Sequence, residues 1–315
     1  MNTLEGPIVL IQKGWTLFKS NCKVIVPVAV FPSIIGIVGQ LLILTKAPAF
    51  IILGILVYIA SIVFSIAMIP ALLNAIHRLQ SEPGAVVTIN SQYSLGFAMF
   101  GSMLLLNIII VLISIGAYSL FIIPGIIISF YISFAIFAFV IDGKKSFGAL
   151  VESYSLVKGR WSAVFGKIFT IGIVFVIFSL TLTALSYLLS FIFGMPLYEA
   201  IANGKAVTTT FGSIIGMVTR LISNGIFMPL ALIAMYNIYI SLKATRQDPS
   251  TIKTPNAWFA LFFCLGILVP VISILGFTAL FIRYGHRNVD QGAYATSSVM
   301  VQNISQFTST STQIK

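Results

Sequence analysis

The sequence predicts an all-α integral membrane protein with about seven transmembrane helices, six plus one C-terminal. Three observations carry that reading. Residues 83–141 form 59 consecutive positions without a formal charge, enough for two helical crossings at about 20 apolar residues each. Charged residues are only 8% of the 315 and hydrophobic ones 58%, whereas soluble domains carry about 25% charged residues. The basic residues fall in short clusters between apolar runs. The net charge of +11 therefore marks topology and not a nucleic-acid surface.

Charge-free intervals place the spans near 24–45, 49–76, 97–118, 121–141, 168–194, 223–242 and 257–282. Backbone polar groups in lipid need internal partners, so these are helices. The runs lack the period-two alternation of a membrane barrel. Ile123-Pro124-Gly125 supplies the sharp break between the third and fourth crossings. The first apolar run, from Val24, reads as a retained anchor and not a cleaved signal.

Orientation follows from Lys and Arg. With the N-terminus in the cytoplasm, twelve basic residues face inward, among them Lys13, Lys19, Lys23, Arg78, Lys144, Lys145 and Lys243. Six face outward: Lys46, Lys205, Arg220, Arg283, Arg287 and Lys315. The asymmetry fits the positive-inside rule and predicts a multi-pass protein with an extracytoplasmic C-terminus. If 257–282 is re-entrant, the tail stays inside.

Three segments beside the spans carry apolar stripes at helical spacing. They are Ile8, Ile11, Trp15 and Phe18; Ile89, Tyr93, Phe97 and Phe100; and Phe147, Leu150, Val151, Tyr154, Val157 and Trp161. Such helices either lie in the headgroup plane or pack against the bundle. Each holds an aromatic-hydroxyl-leucine triplet (Trp15-Thr16-Leu17, Tyr93-Ser94-Leu95, Tyr154-Ser155-Leu156) and precedes two apolar runs. The second run of each pair contains Pro70, Pro124 or Pro229. That order suggests a threefold repeat, 5–78, 85–142 and 146–247, within a membrane domain of residues 1–247. Residues 248–287 read as a linker plus the additional span, and 288–315 as a disordered polar tail.

Chemistry is conspicuously thin. Glu5, Glu82, Asp142, Glu152, Glu199, Asp248 and Asp290 all fall at predicted ends or loops, so no carboxylate sits mid-span as proton relays and cation sites require. His77 and His286 fall near span ends, and Cys22 and Cys264 are far apart in the chain. No catalytic residue, metal site or cofactor is expected, and the chain reads as a non-enzyme. Gly36 and Gly39 suggest helix packing, and Gln40, Asn74, Asn107 and Asn237 interhelical hydrogen bonds. Arg220 either snorkels to the headgroups or lines a cavity for an anionic lipid or solute.

From Ile123-Pro124-Gly125 through Asp142-Gly143-Lys144 to Ala149-Leu150-Val151-Glu152-Ser153-Tyr154-Ser155-Leu156-Val157-Lys158-Gly159-Arg160-Trp161, the chain resembles a known group. These are uncharacterised prokaryotic membrane proteins related to the glycerophosphoryl diester phosphodiesterase membrane domain. The resemblance covers residues 5–247 and assigns the motif to Pro124, Gly125, Asp142, Gly143, Ser153, Leu156, Gly159 and their neighbours. The resemblance implies a polytopic helical fold in a bacterial-type plasma membrane; it does not imply hydrolysis. The chain departs from the group at Tyr239-Ile240-Ser241-Leu242-Lys243, where relatives often carry Tyr, Asp and Arg.

The leading expectation is a lipid-interacting or envelope-maintenance protein. Its inner cluster of Lys144, Lys145, Lys158, Arg160 and Lys167 would sit against anionic lipid headgroups, unless those charges only set topology. Alternatives are a transporter of a hydrophobic or anionic solute, and a membrane subunit or scaffold for a partner protein. The sequence leaves the oligomeric state open.

Overall fold

The computed structural model describes residues 6–82, 84–192, 210–245 and 257–278. The linker, the polar tail, Lys205, Arg283 and Arg287 lie outside them. Among the described residues, seven helical stretches are long and apolar enough to cross a membrane. The chain is thus an all-α, multi-pass membrane protein.

The helices follow one another as α1 (Pro7–Leu44), α2 (Pro48–Ser81), α3 (Ile89–Ala98), α4 (Phe100–Leu120), α5 (Ile122–Ile132) and α6 (Ala135–Ile141). Then come α7 (Ser146–Val157), α8 (Trp161–Ile192), α9 (Thr210–Ile222), a π-helical turn (Ser223–Phe227) and α10 (Met228–Ala244). The last is α11 (Ala257–Thr278). Helices α5 and α6 together make one crossing, as do α9, the π turn and α10.

The first stripe is no separate helix: it runs into the first span, and only Asn21 (φ −121°, ψ 18°) leaves helical values. Lys13, Lys19 and Lys23 are exposed along that stretch, so a helix can continue there without a charge-free sequence. Counting it as a short element, the chain runs short, long, long three times. Each short helix packs on a second long one. Tyr93 and Gly96 of α3 lie against α2, and a Cβ on Gly96 would meet the Ala67 carbonyl oxygen. Helix α7 lies against α5 and α6, and Gly14 of α1 against Ile233 of α10.

Prolines inside helices leave carbonyls without their usual partner. Pro32 in α1 removes the N–H that would serve Val28, and the Tyr93 hydroxyl donates to the Val28 carbonyl at 2.7 Å instead. Burial pushes the Tyr93 phenol above its ordinary pKa, keeping it a donor. The π turn precedes Pro229, which packs buried in the first turn of α10. Pro124 does not interrupt a span: it sits in the first turn of α5, where an N–H would have no helical partner.

Small residues set the closest crossings, as in other membrane helix pairs. Gly39 and Gly54 bring α1 and α2 together: a Cβ on Gly39 would lie 2.9 Å from the Gly54 carbonyl oxygen. Gly116 and Gly266 do the same for α4 and α11, where added Cβ atoms would meet the Phe262 and Leu112 carbonyl oxygens.

Candidate functional site

The predicted basic cluster lies where α6, α7, α8 and α10 meet at one end of the bundle. Helix α6 ends at Asp142. The next residue, Gly143, takes φ +63°, a left-handed value open to glycine. The Lys144 N–H then returns to the Ala138 carbonyl at 3.2 Å. This turn projects Lys144 and Lys145 outward, and both are exposed. Among the described residues neither makes an ion pair. Lys158 is half-buried, with Nζ 5.6 Å from the centre of the Tyr154 ring.

Arg160 and Lys167 depart from the expectation of headgroup contact. Gly159, at φ +78°, swings the chain so that Arg160 reaches under the end of α10. Its Nη1 donates to the Thr245 carbonyl at 2.9 Å and to Thr245 Oγ1 at 2.6 Å, and its Nη2 to the Leu156 carbonyl at 3.1 Å. These bonds satisfy carbonyls that helix ends leave open. Burial lowers the Arg160 pKa, though a guanidinium stays charged. Lys167 falls in the second turn of α8 and is only 9% exposed, engaged within the bundle.

The motif residues hold the same corner together. Asp142 accepts from the Tyr239 hydroxyl and from Lys243 Nζ, each at 2.6 Å. The carboxylate is 11% exposed and the lysine 45%, so the pair anchors α10 to the end of α6. Ser153 is fully buried; its Oγ accepts from the Phe134 N–H at 3.0 Å and donates to the Tyr131 carbonyl at 2.6 Å. Those two backbone groups belong to the break between α5 and α6, which Ser153 mends from outside. Leu156 is buried in the core. Gly125 lets the Tyr118 ring lie on the backbone of α5, closing the α4–α5 hairpin.

Helix α7 therefore packs into the bundle, with Glu152 and Ser153 inward and Phe147 exposed. A helix lying flat on the membrane with its polar face in water would show the reverse. Arg220 is exposed at the end of α9 and lines neither described cavity.

Sequence reasoning expected interhelical bonds from Asn74 and Asn237 but missed His77, Gln80 and Ser81, which extend them into a polar ladder along α2. The His77 Nδ1 lies 2.8 Å from the Tyr236 hydroxyl and 3.3 Å from Ser81 Oγ. Gln80 donates to Asn237 at 3.3 Å, and Asn74 donates to Gln92 at 2.8 Å. Four polar positions repeating along one stretch of α2 (Asn74, His77, Gln80, Ser81) were the available signal. These groups bond to one another across α2, α3 and α10, and so join helices. Among the described residues no three His, Cys, Asp or Glu gather closely enough to hold a metal.

Two apolar cavities open on the sides of the bundle. One of about 270 Å³ lies between α5, α7 and α11, beside Tyr131, Tyr154 and Phe262. The other, about 350 Å³, lies between α1, α8 and the π turn with α10, beside Trp15, Phe178 and Phe227. Residues 83–242 match the family described as a domain of unknown function, DUF7847, just over half of the chain. The chain belongs to that family. The DUF7847 region contains every motif residue from Pro124 to Arg160 together with the Asp142–Tyr239 contact, while α1, α2 and α11 lie outside it. No curated protein and no solved structure matches the chain.

Proposed function

We propose that this protein is a non-enzymatic plasma-membrane protein that engages anionic lipid headgroups through the turn between α6 and α7. The observation that carries this reading is the pair Lys144 and Lys145, exposed and without ion-pair partners among the described residues. Exposed Phe147 follows in the first turn of α7, a pairing of cations with an aromatic suited to a headgroup layer. Each lysine near an anionic surface is worth about 1 kcal/mol. The reading places the turn and the N-terminus in the cytoplasm, and it extends the kinship to the phosphodiesterase membrane-domain group, whose motif the chain resembles.

The test is lipid selectivity of the full-length protein in nanodiscs of mixed phosphatidylglycerol and phosphatidylcholine. Wild type is expected to enrich phosphatidylglycerol, and K144Q/K145Q to lose up to about 2 kcal/mol of preference, roughly 30-fold. Equal recovery of both lipids from wild type would overturn the reading. A transporter of an anionic solute is the weaker reading, since no charged side chain lines either described cavity and Pro124 does not break a span. A scaffold for a partner protein rests on the same α6–α7 turn, and a stoichiometric partner retained there would favour it.

A further inference from the structure

We infer that the cavity between α1, α8 and α10 is a binding site for one acyl chain of a membrane lipid. It is separate from the lysine turn and does not depend on headgroup charge. The lining includes Trp15, Phe175, Phe178, Ile226, Phe227 and Ala234, and contains no charged side chain. A hydrogen-bonding solute would lose its water there without replacement. Hydrocarbon would not.

The mouth opens on the outside of the bundle. Phe178 is 52% exposed and Trp15 51%, and both stand on membrane-crossing helices. Its volume of about 350 Å³ is within the roughly 300–1,000 Å³ of ligand sites. In lipid no hydrophobic force drives apolar groups together. What favours occupancy is contact: atoms lining an empty hollow forfeit dispersion attraction that a chain restores.

Two further observations single this hollow out. Its wall contains the π-helical turn Ser223–Phe227, a widened backbone of the kind frequent at functional sites. The corresponding junction between α2 and α3 is filled by the protein itself. There Phe31, Phe64 and Phe97 pack with Tyr93, at centroid separations of 5.0 to 6.4 Å. At the α1–α10 junction, among the described residues, Phe175 and Phe178 meet Phe227 and Trp15 stacks on Phe18, and space remains.

The experiment reconstitutes the full-length protein into phosphatidylcholine vesicles containing a phosphatidylcholine with a diazirine on its acyl chain. After irradiation, labelled residues are mapped by peptide mass spectrometry. Labelling is expected to concentrate on Phe175, Phe178 and Phe227, above the level at Ile52, Ile55 and Ile59, which are exposed on α2. Filling the mouth with Ile226→Trp should lower it to that background, and Val174→Trp, from the opposite wall, should do the same if the first variant misfolds. Uniform labelling in wild type, or enrichment that survives both variants, would overturn the inference. So would links between two copies of the chain at these residues. Because the vesicles are neutral, failure here leaves the headgroup reading untouched.

Discussion

Replacing Ser153 by alanine removes one oxygen and leaves the packing almost unchanged, yet it strips the partner from two backbone groups at once. The Phe134 N–H loses an acceptor at 3.0 Å and the Tyr131 carbonyl loses a donor at 2.6 Å. Both belong to the α5–α6 break, and Ser153 is fully buried. A buried group left unsatisfied costs about 1–3 kcal/mol, while side-chain bonds inside membranes average nearer 0.6 kcal/mol. Two main-chain groups losing one shared partner should therefore lower stability by about 2–4 kcal/mol. The assay is unfolding of the full-length protein in mixed micelles by titration with sodium dodecyl sulfate, followed by circular dichroism. Ser94→Ala, at an exposed hydroxyl, is the control and should lie within error of wild type. If Ser153→Ala unfolds at the same midpoint as that control, Ser153 does not mend the break and the reasoning is wrong.

Other outcomes follow from the same geometry. Tyr93→Phe should lower stability by about 1 kcal/mol. The loss should nearly vanish in a Pro32→Ala background, where a restored N–H serves the Val28 carbonyl, and a double-mutant cycle measures this directly. Gly116→Val should force α11 off α4, since even a Cβ there meets the Phe262 backbone; faster proteolysis after residue 245 would register it, and an unchanged cleavage rate would count against the crossing. Asp142→Ala should loosen the end of α10 by about 1–3 kcal/mol, because the Tyr239 hydroxyl loses its acceptor. Lys243→Met should do less, its lysine being 45% exposed. Comparable losses in the two variants would mean that the charge pair, and not the tyrosine, holds the corner.

The crossings were legible because lipid imposes one simple demand, a long stretch without charge, and each predicted interval overlaps a crossing helix. Ends were less legible. Helix α1 begins at Pro7 and not near Val24, because Lys13, Lys19 and Lys23 lie along a helical stretch whose exposed side tolerates charge. The break at Phe134 left little mark: the run is uncharged, its Ser133 only bonds back to the Phe130 carbonyl, and the buried partner of the break, Ser153, comes from α7. Clustered cations near Gly143 could suggest a basic corner of the bundle but not which of its charges stay outside the protein. Spacing could not foretell that Gly159 turns Arg160 beneath α10, or that Lys167 falls on the inner face of α8. The partnership of Asp142 with Tyr239 and Lys243 joins residues about a hundred positions apart, beyond the reach of any local pattern.

The side of the membrane on which the α6–α7 turn lies is best tested by cysteine accessibility in intact cells. Cys22 and Cys264 are both exposed and would first be replaced by serine. Single cysteines at Lys144 and Lys46 then report the two faces through a membrane-impermeant maleimide. The cysteine at 46 is expected to react from outside, and the one at 144 only after permeabilisation. Labelling at 144 in sealed cells would contradict the orientation and the headgroup proposal that depends on it.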